Sequence, residues 1–259
     1  MNLFHDISGK GPDLILLHGW AMHSGIFTPL LPELRQHFRV HCIDLPGHGH
    51  SIDSTLALDY AEFWQALLPR LDQPAYFMGW SLGGLFALHG AIHHPTACRG
   101  LIMQNASPCF VQRGDWQHGM PAMVFQQFAQ DLQLDYDRTL HRFFMLEAQG
   151  SEHLRAELRL LQTTAFEFGR PNPSVLTEGL RLLETTDMRM ALPELGIPSL
   201  WLAGRRDRLV NPLAMQQAGI MAKGRFDCDE RGGHAPFLTH PAAILQSLLE
   251  FTEAPHEHP

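Results

Sequence analysis

Residues 75–88 read AYFMGWSLGGLFAL. The first six, AYFMGW, suit a buried strand, and SLGGLFALHGAIHH (81–94) suits a helix stopped by Pro95. Gly79 and Gly83 stand two residues either side of Ser81. Inside a strand or helix each glycine costs roughly 0.5–1 kcal/mol against alanine, so their placement needs a reason. The reason is a G-x-S-x-G turn between strand and helix. Small flanking residues let the two backbones approach. The turn lifts the Ser81 hydroxyl above the sheet at a helix N-terminus, where backbone N–H groups favour a developing negative charge. Three fixed residues recur by chance in about one chain in ten of this length, so the rest of the sequence has to carry the reading.

Working outward, short apolar runs alternate with helical patterns. DLILLHG (13–19), FRVHCIDLPGHG (38–49), RGLIMQNAS (99–107), IPSLWLAG (197–204) and, more weakly, RFDCDE (225–230) read as strands or strands with their loops. LALDYAEFWQALLPRL (56–71) and AAILQSLLEFTE (242–253) have helical spacing. Buried strands separated by helices make βαβ units and a mostly parallel sheet. Between 111 and 186 no strand pattern appears. Helical segments near 119–132, 135–148, 151–168 and 173–185 are broken at Gly150 and GRPNP (169–173). The expected fold is an α/β core formed by 1–110 and 187–259, with a helical cap, 111–186, inserted between.

Composition narrows the function. The chain has 259 residues and a formal charge of −8, enough length for a full core and no general nucleic-acid surface. No apolar run reaches the ~18 residues of a membrane span, and MNLFHDISGKGPD lacks a signal pattern; the expectation is a cytoplasmic, monomeric protein. Cys42, Cys98, Cys109 and Cys228 form no CxxC and are expected to be reduced. His93-His94 and the HEHP tail (256–259) are the metal candidates, but neither has zinc-site spacing. No metal and no cofactor are expected, and the tail after Glu253 is expected to fray.

A serine hydroxyl is a poor nucleophile; it needs a base, and the base an orienting carboxylate. Asp207 lies just beyond strand 197–204, in AGRRDRLVNP, and His234 lies in RGGHAPFLTHP after strand 225–230. Both therefore fall at carboxyl ends of parallel strands, where open α/β sheets build their sites. His240 is a rival base but abuts Pro241; Asp227 and Asp229 are rival acids but sit within a strand. Acyl transfer also needs two donors for the tetrahedral oxyanion. The Leu82 amide, after the nucleophile, is one. The Trp20 amide, in HGW (18–20), is the other.

The sequence LLHGW, DLPGHGHS, GWSLGG, GRRDRLV, GGHAPF, taken in that order, resembles the α/β-hydrolases. That likeness implies their mostly parallel sheet flanked by helices, with the cap between the sixth strand and the acid. Within that family the chain is similar, nearly end to end, to the biotin-pathway carboxylesterases that demethylate a pimeloyl-carrier-protein methyl ester. SPCF (107–110), DRTLHRF (137–143), the arginines of SEHLRAELR (151–159) and GGHAPFLTHP carry the closer likeness. It implies an acyl carrier protein as the partner that presents the substrate. It also implies an acyl pocket lined by Trp20, Leu82, Phe143, Phe144, Met145, Leu146 and Glu147, beside Ser81 and His234. Phe144, Met145 and Glu147 depart from the pattern, which leaves chain-length preference open.

Arg138 and Arg142, and Arg155 and Arg159, are pairs four residues apart. Like charges at that spacing destabilise a helix by roughly 0.2–0.5 kcal/mol. Leu140, Phe143 and Phe144 on one helix, and Leu154, Leu158 and Leu161 on the next, leave the arginines off the apolar faces. The plain reading pairs them with Asp135, Glu152 or Glu157. The resemblance instead makes them a docking patch for the carrier's phosphate and carboxylates, which a planar guanidinium binds bidentately. Residues 111–186 hold seven arginines against ten acids, so any attraction is local. Three rival functions remain: a general short-chain carboxylesterase, a C–C hydrolase or lyase on the same residues, or an idle receptor that keeps the pocket. A receptor needs no base, which disfavours the last.

Overall fold

The computed structural model describes residues 3–254. Seven strands form one sheet in the order β1-β3-β2-β4-β5-β6-β7. They are β1 (His5–Gly9), β2 (Asp13–Leu17), β3 (Arg39–Ile43), β4 (Ala75–Trp80), β5 (Cys98–Gln104), β6 (Ser199–Gly204) and β7 (Arg225–Asp229). β1 runs antiparallel to β3, and every other pairing is parallel. β2, β4 and β6 are buried at every position, as strands covered on both faces should be.

The flanking helices are α1 (Leu31–His37), α2 (Tyr60–Leu67), α3 (Leu82–His93), α8 (Pro212–Met221), α9 (Pro236–Thr239) and α10 (Pro241–Glu253). Between β5 and β6 come α4 (Ala122–Leu134), α5 (Tyr136–Ala148), α6 (Leu154–Ala165) and α7 (Pro173–Thr185). The insertion thus follows the fifth strand of this chain, not the sixth. Its ends are tied where Met188 N donates to Pro108 O at 2.9 Å. SPCF builds this neck: Ser107 Oγ donates to Cys109 O at 2.6 Å, and Trp116 Nε1 donates to the same carbonyl at 2.9 Å.

Local chemistry sets the helix starts. Asp59 accepts from the Ala61 and Glu62 amides at the head of α2, so the expected 56–71 helix begins only at Tyr60. Asp135 caps α5, and Asn172 and Asn211, each followed by proline, cap α7 and α8. Four elements carried no clear sequence signal: β1, α1, α8 and the short α9. β1 is a half-exposed edge strand with three polar residues in HDISG, and so lacks the apolar run that marks the interior strands. All four cysteines are free. Among the described residues no helix is long and apolar enough to cross a membrane. The HEHP tail lies outside the described residues, as does nearly all of the segment expected to fray.

The glycines around Ser81 hold the strand and helix together. A methyl group at Gly79 would overlap the Gly83 carbonyl and the Gly84 backbone, and one at Gly83 would overlap the Leu17 and His18 carbonyls. The β4–α3 turn therefore closes with backbone against backbone, directly over the end of β2.

Candidate active site

Ser81 is the residue before α3 and has φ 53° and ψ −120°, a region that a non-glycine residue occupies only under constraint, at a cost on the order of 1–3 kcal/mol. Its amide donates to Gln104 O at 3.1 Å, which fixes the turn to the end of β5. The Leu82 amide opens α3, where no earlier carbonyl is in reach of it. The other loop at this point is HGW. A methyl at Gly19 would stand 3.2 Å from Ser81 Cβ, so the Gly19–Trp20 backbone passes against the serine.

That loop is held from below. His18 Nε2 accepts from Leu45 N at 2.9 Å, and His18 Nδ1 contacts Gly19 O at 2.8 Å. Burial, and then the nearby His48, push the His18 pKa down to about 3, so it is the neutral tautomer with its proton on Nδ1. Asp44 Oδ1 accepts from Ser24 N at 2.7 Å and Oδ2 from His50 N at 2.8 Å. Although burial opposes it, the Ser24 and His50 donors hold the Asp44 carboxyl below its usual range.

Asp207 and His234 meet at the end of the sheet. His234 Nδ1 lies 2.9 Å from Asp207 Oδ2. Asp207 Oδ1 accepts from Leu209 N and Val210 N at 2.8 and 3.0 Å. In this geometry Nδ1 faces the carboxylate, the arrangement that orients an imidazole base. His234 Nε2 is buried and has no hydrogen-bond partner among the described residues. Trp80 Nε1 donates to His234 O at 2.9 Å, tying the residue before the serine to the histidine.

The rival residues are engaged elsewhere. His240 Nδ1 lies 2.5 Å from Asp229 Oδ2, so the alternative base and one alternative acid satisfy each other. Asp227 takes Arg225 at 2.8 Å. His89 and His93 lie with ring centroids 4.2 Å apart, but among the described residues no group of three or more metal-ligating side chains is assembled.

One residue that sequence reading missed is Asn105, which follows β5 with φ 44°. Its Nδ2 donates to Asp207 Oδ2 at 2.7 Å and to Gly233 O at 3.0 Å. The signal was present as a buried Gln-Asn pair at the carboxyl end of an apolar parallel strand, where only hydrogen-bonded polar groups are tolerated.

The expected pocket residues divide. Trp20 is fully buried; its Nε1 donates to Leu176 O of α7 at 2.8 Å, and its ring meets Phe143 edge-on at 4.6 Å. A methyl at Gly179 of α7 would stand 3.4 Å from Leu82 Cδ2. Trp20, Leu82 and Phe143 are thus brought together under the insertion. Phe144 packs inward against Phe143 and Phe166, and Leu146 is half-buried. Met145 is 37% exposed on the outer side of α5, away from the others. Glu147 is fully buried, and neither carboxylate oxygen has a partner among the described residues.

All four arginines are exposed. Among the described residues only Arg142 has an ion-pair partner: Asp131 accepts from it at 2.8 Å, and it lies over the Phe128 ring. Asp135 spends its side chain on capping α5, Glu152 pairs with Arg206, and Glu157 is buried. None of the acids first considered as their partners neutralises them. Arg138 and Arg142 line a groove of about 420 Å3 with Gln127, Asp131, Leu134, Asp135 and Thr139.

The profile of the alpha/beta hydrolase family matches residues 14–247. The chain belongs to that family. This hydrolase is 49% identical over 250 residues to the pimeloyl-acyl-carrier-protein methyl ester esterase of Stenotrophomonas maltophilia, covering 96% of each. It is 47% identical to the protein of the same name from Xanthomonas oryzae pv. oryzae, over 95% of this chain and 97% of that one. In fold, the hydrolase matches an esterase from Exiguobacterium antarcticum with a TM-score of 0.88 at 20% identity, over 97% and 96% of the two chains.

Proposed function

We propose that the chain is a serine carboxylesterase that hydrolyses the methyl ester of pimeloyl-acyl-carrier protein, a step in biotin formation. The observation that carries this is the identity of 44–49%, over almost the whole chain, to relatives bearing that name. Residues 111–186 act as a cap over the core of 1–110 and 187–259. The enzyme acts as a cytoplasmic monomer and needs no cofactor.

In this reading Ser81 attacks the ester carbonyl while His234 Nε2 takes its proton. Asp207 holds the imidazole by Nδ1 and stabilises the cation that forms. The Leu82 and Trp20 amides receive the oxyanion. Methanol leaves with the proton from His234, and water hydrolyses the acyl-enzyme by the same route. Trp20, Leu82, Phe143, Phe144, Leu146 and Glu147 form the acyl pocket wall. Met145, facing outward, is set aside. Arg138, Arg142, Arg155 and Arg159 receive the carrier.

The test is methanol release from pimeloyl-acyl-carrier-protein methyl ester, compared with the same ester lacking the carrier, at low and at physiological salt. A salt-sensitive preference for the carrier form is expected. Equal turnover of both would discard the carrier-linked substrate and leave a general esterase. Ser81→Ala should lose roughly a thousandfold or more in kcat, and retained turnover would remove Ser81 as nucleophile.

A further inference from the structure

The loop that carries Trp20 contains a strained residue. Met22 N donates to Gly19 O at 3.3 Å and closes a turn, and within it Ala21 has φ 59°. A turn with positive φ at this position normally carries glycine. An alanine there is unfavourable and persists only where its surroundings hold it. What holds it comes from the inserted helices. On one side of Ala21, Trp20 Nε1 donates to Leu176 O of α7 at 2.8 Å; a helical carbonyl keeps a second lone pair for such a donor. On the other side, His23 Nε2 lies 2.6 Å from Thr164 O of α6. His23 Nδ1 accepts from Gly25 N at 3.0 Å, so the ring proton is on Nε2 and that nitrogen donates. Trp20, His23, Thr164 and Leu176 are all buried.

α7 also makes room for this contact. Gly179 lies three residues after Leu176, and a methyl on it would stand 2.6 Å from Trp20 Cδ1 and 3.4 Å from Leu82 Cδ2. Glycine is unfavourable inside a helix. Here it lets α7 press on the side chains of both residues proposed as oxyanion donors.

We propose that the insertion clamps the oxyanion turn: the Trp20 indole and the His23 imidazole, each bonded to a carbonyl of an inserted helix, are positioning groups that keep Ala21 in its strained form and so present the Trp20 amide. The inference rests on that amide being an oxyanion donor. Without the clamp the turn relaxes toward an ordinary backbone conformation and its amide turns away. Transition-state stabilisation is then lost while ground-state binding remains.

The experiment measures kcat and KM for a short-chain p-nitrophenyl ester in wild type, Trp20→Phe, His23→Phe and His23→Gln, and in the two phenylalanine variants combined with Ala21→Gly. Trp20→Phe keeps an aromatic ring but has no indole N–H. Its kcat should fall roughly tenfold, the equilibrium cost of one residue left in the left-handed region without support, with KM changed less. His23→Phe should lower kcat with KM held, and His23→Gln, which keeps a donor, should recover part. Ala21→Gly admits the positive φ without help, so it should return most of the lost kcat in both combined variants. Binding of a trifluoromethyl ketone, whose serine adduct carries the oxyanion, should weaken in step with kcat. Wild-type kcat in both Trp20→Phe and His23→Phe would overturn the clamp. So would a loss confined to KM, or a loss of kcat that Ala21→Gly does not repair. If wild type bound the trifluoromethyl ketone no more tightly than the corresponding methyl ketone, the serine and oxyanion reading itself would fall, a separate outcome.

Discussion

Asn105 Nδ2 lies 2.7 Å from the same Asp207 oxygen that receives His234 Nδ1. The Asp207 carboxylate is thus fixed by four donors: the Leu209 and Val210 amides, Asn105 and the histidine. Asn105 also holds Gly233 O at 3.0 Å, so one amide group sets both the acid and the turn that carries the base. Asn105→Ala should lower kcat/KM roughly tenfold to a hundredfold, the equivalent of one hydrogen bond to a charged group at about 1.5–3 kcal/mol. Because Asn105 has φ 44°, alanine adds backbone strain. Asn105→Gly removes that strain and should recover melting temperature but not activity. Wild-type turnover by Asn105→Gly would show that the side chain does nothing for Asp207.

The close approach at the nucleophile turn predicts a sharp contrast between two glycines. A methyl at Gly83 would collide with the Leu17 and His18 carbonyls, which belong to the central sheet and its loop, whereas Gly114 has nothing within 4 Å of the same position. Gly83→Ala should destabilise the fold by about 3 kcal/mol or more, at or above the usual range for overpacking, and abolish ester hydrolysis. Gly114→Ala should stay within about 0.5 kcal/mol of wild type. Urea denaturation of both variants decides it; equal midpoints would mean the β4–α3 turn tolerates separation.

What could be read without coordinates followed from burial. β2, β4 and β6, covered on both faces, appear as apolar runs, and the turn at Ser81 is marked by its glycines. β1 escaped because an edge strand needs no apolar alternation when one side faces water. Asn105 escaped because its role depends on pairings 102 and 128 residues away along the chain, and no local pattern encodes those. Glu157 was first weighed as a solvated partner for the arginines, yet it is 3% exposed. Its position on α6 fits either face on helical spacing alone, and only packing against α5 decides.

The buried acid pair should show in the pH dependence of stability. In the unfolded chain Glu157 ionises near the ordinary 4.5, and in the folded protein near 7; Glu147 is displaced in the same direction. Above 4.5 the folded state therefore holds more protons than the unfolded one. Stability falls as pH rises through this window. For Glu157 the whole displacement corresponds to roughly 3 kcal/mol at most. The double variant Glu147→Gln, Glu157→Gln should melt higher than wild type near neutral pH, with the gap closing toward about pH 4–5. A gap independent of pH would place both carboxyls in water in the folded state.

The arginine groove gives an ordered prediction. Arg142 is already half-neutralised by Asp131 at 2.8 Å and rests on the Phe128 ring. No carboxylate among the described residues pairs with Arg138, Arg155 or Arg159. Exposed single charges add little each, roughly 0.2–1 kcal/mol, but four acting on one acidic partner should add up. Replacing all four with glutamine should lower kcat/KM on a carrier-bound methyl ester roughly tenfold or more and flatten its salt dependence. The same ester without the carrier should be hydrolysed as before. Among single variants Arg142→Gln should cost less than Arg138→Gln, since its charge is partly committed within the protein. Should the fourfold variant keep both its rate and its salt slope on the carrier-bound ester, the carrier docks on another face.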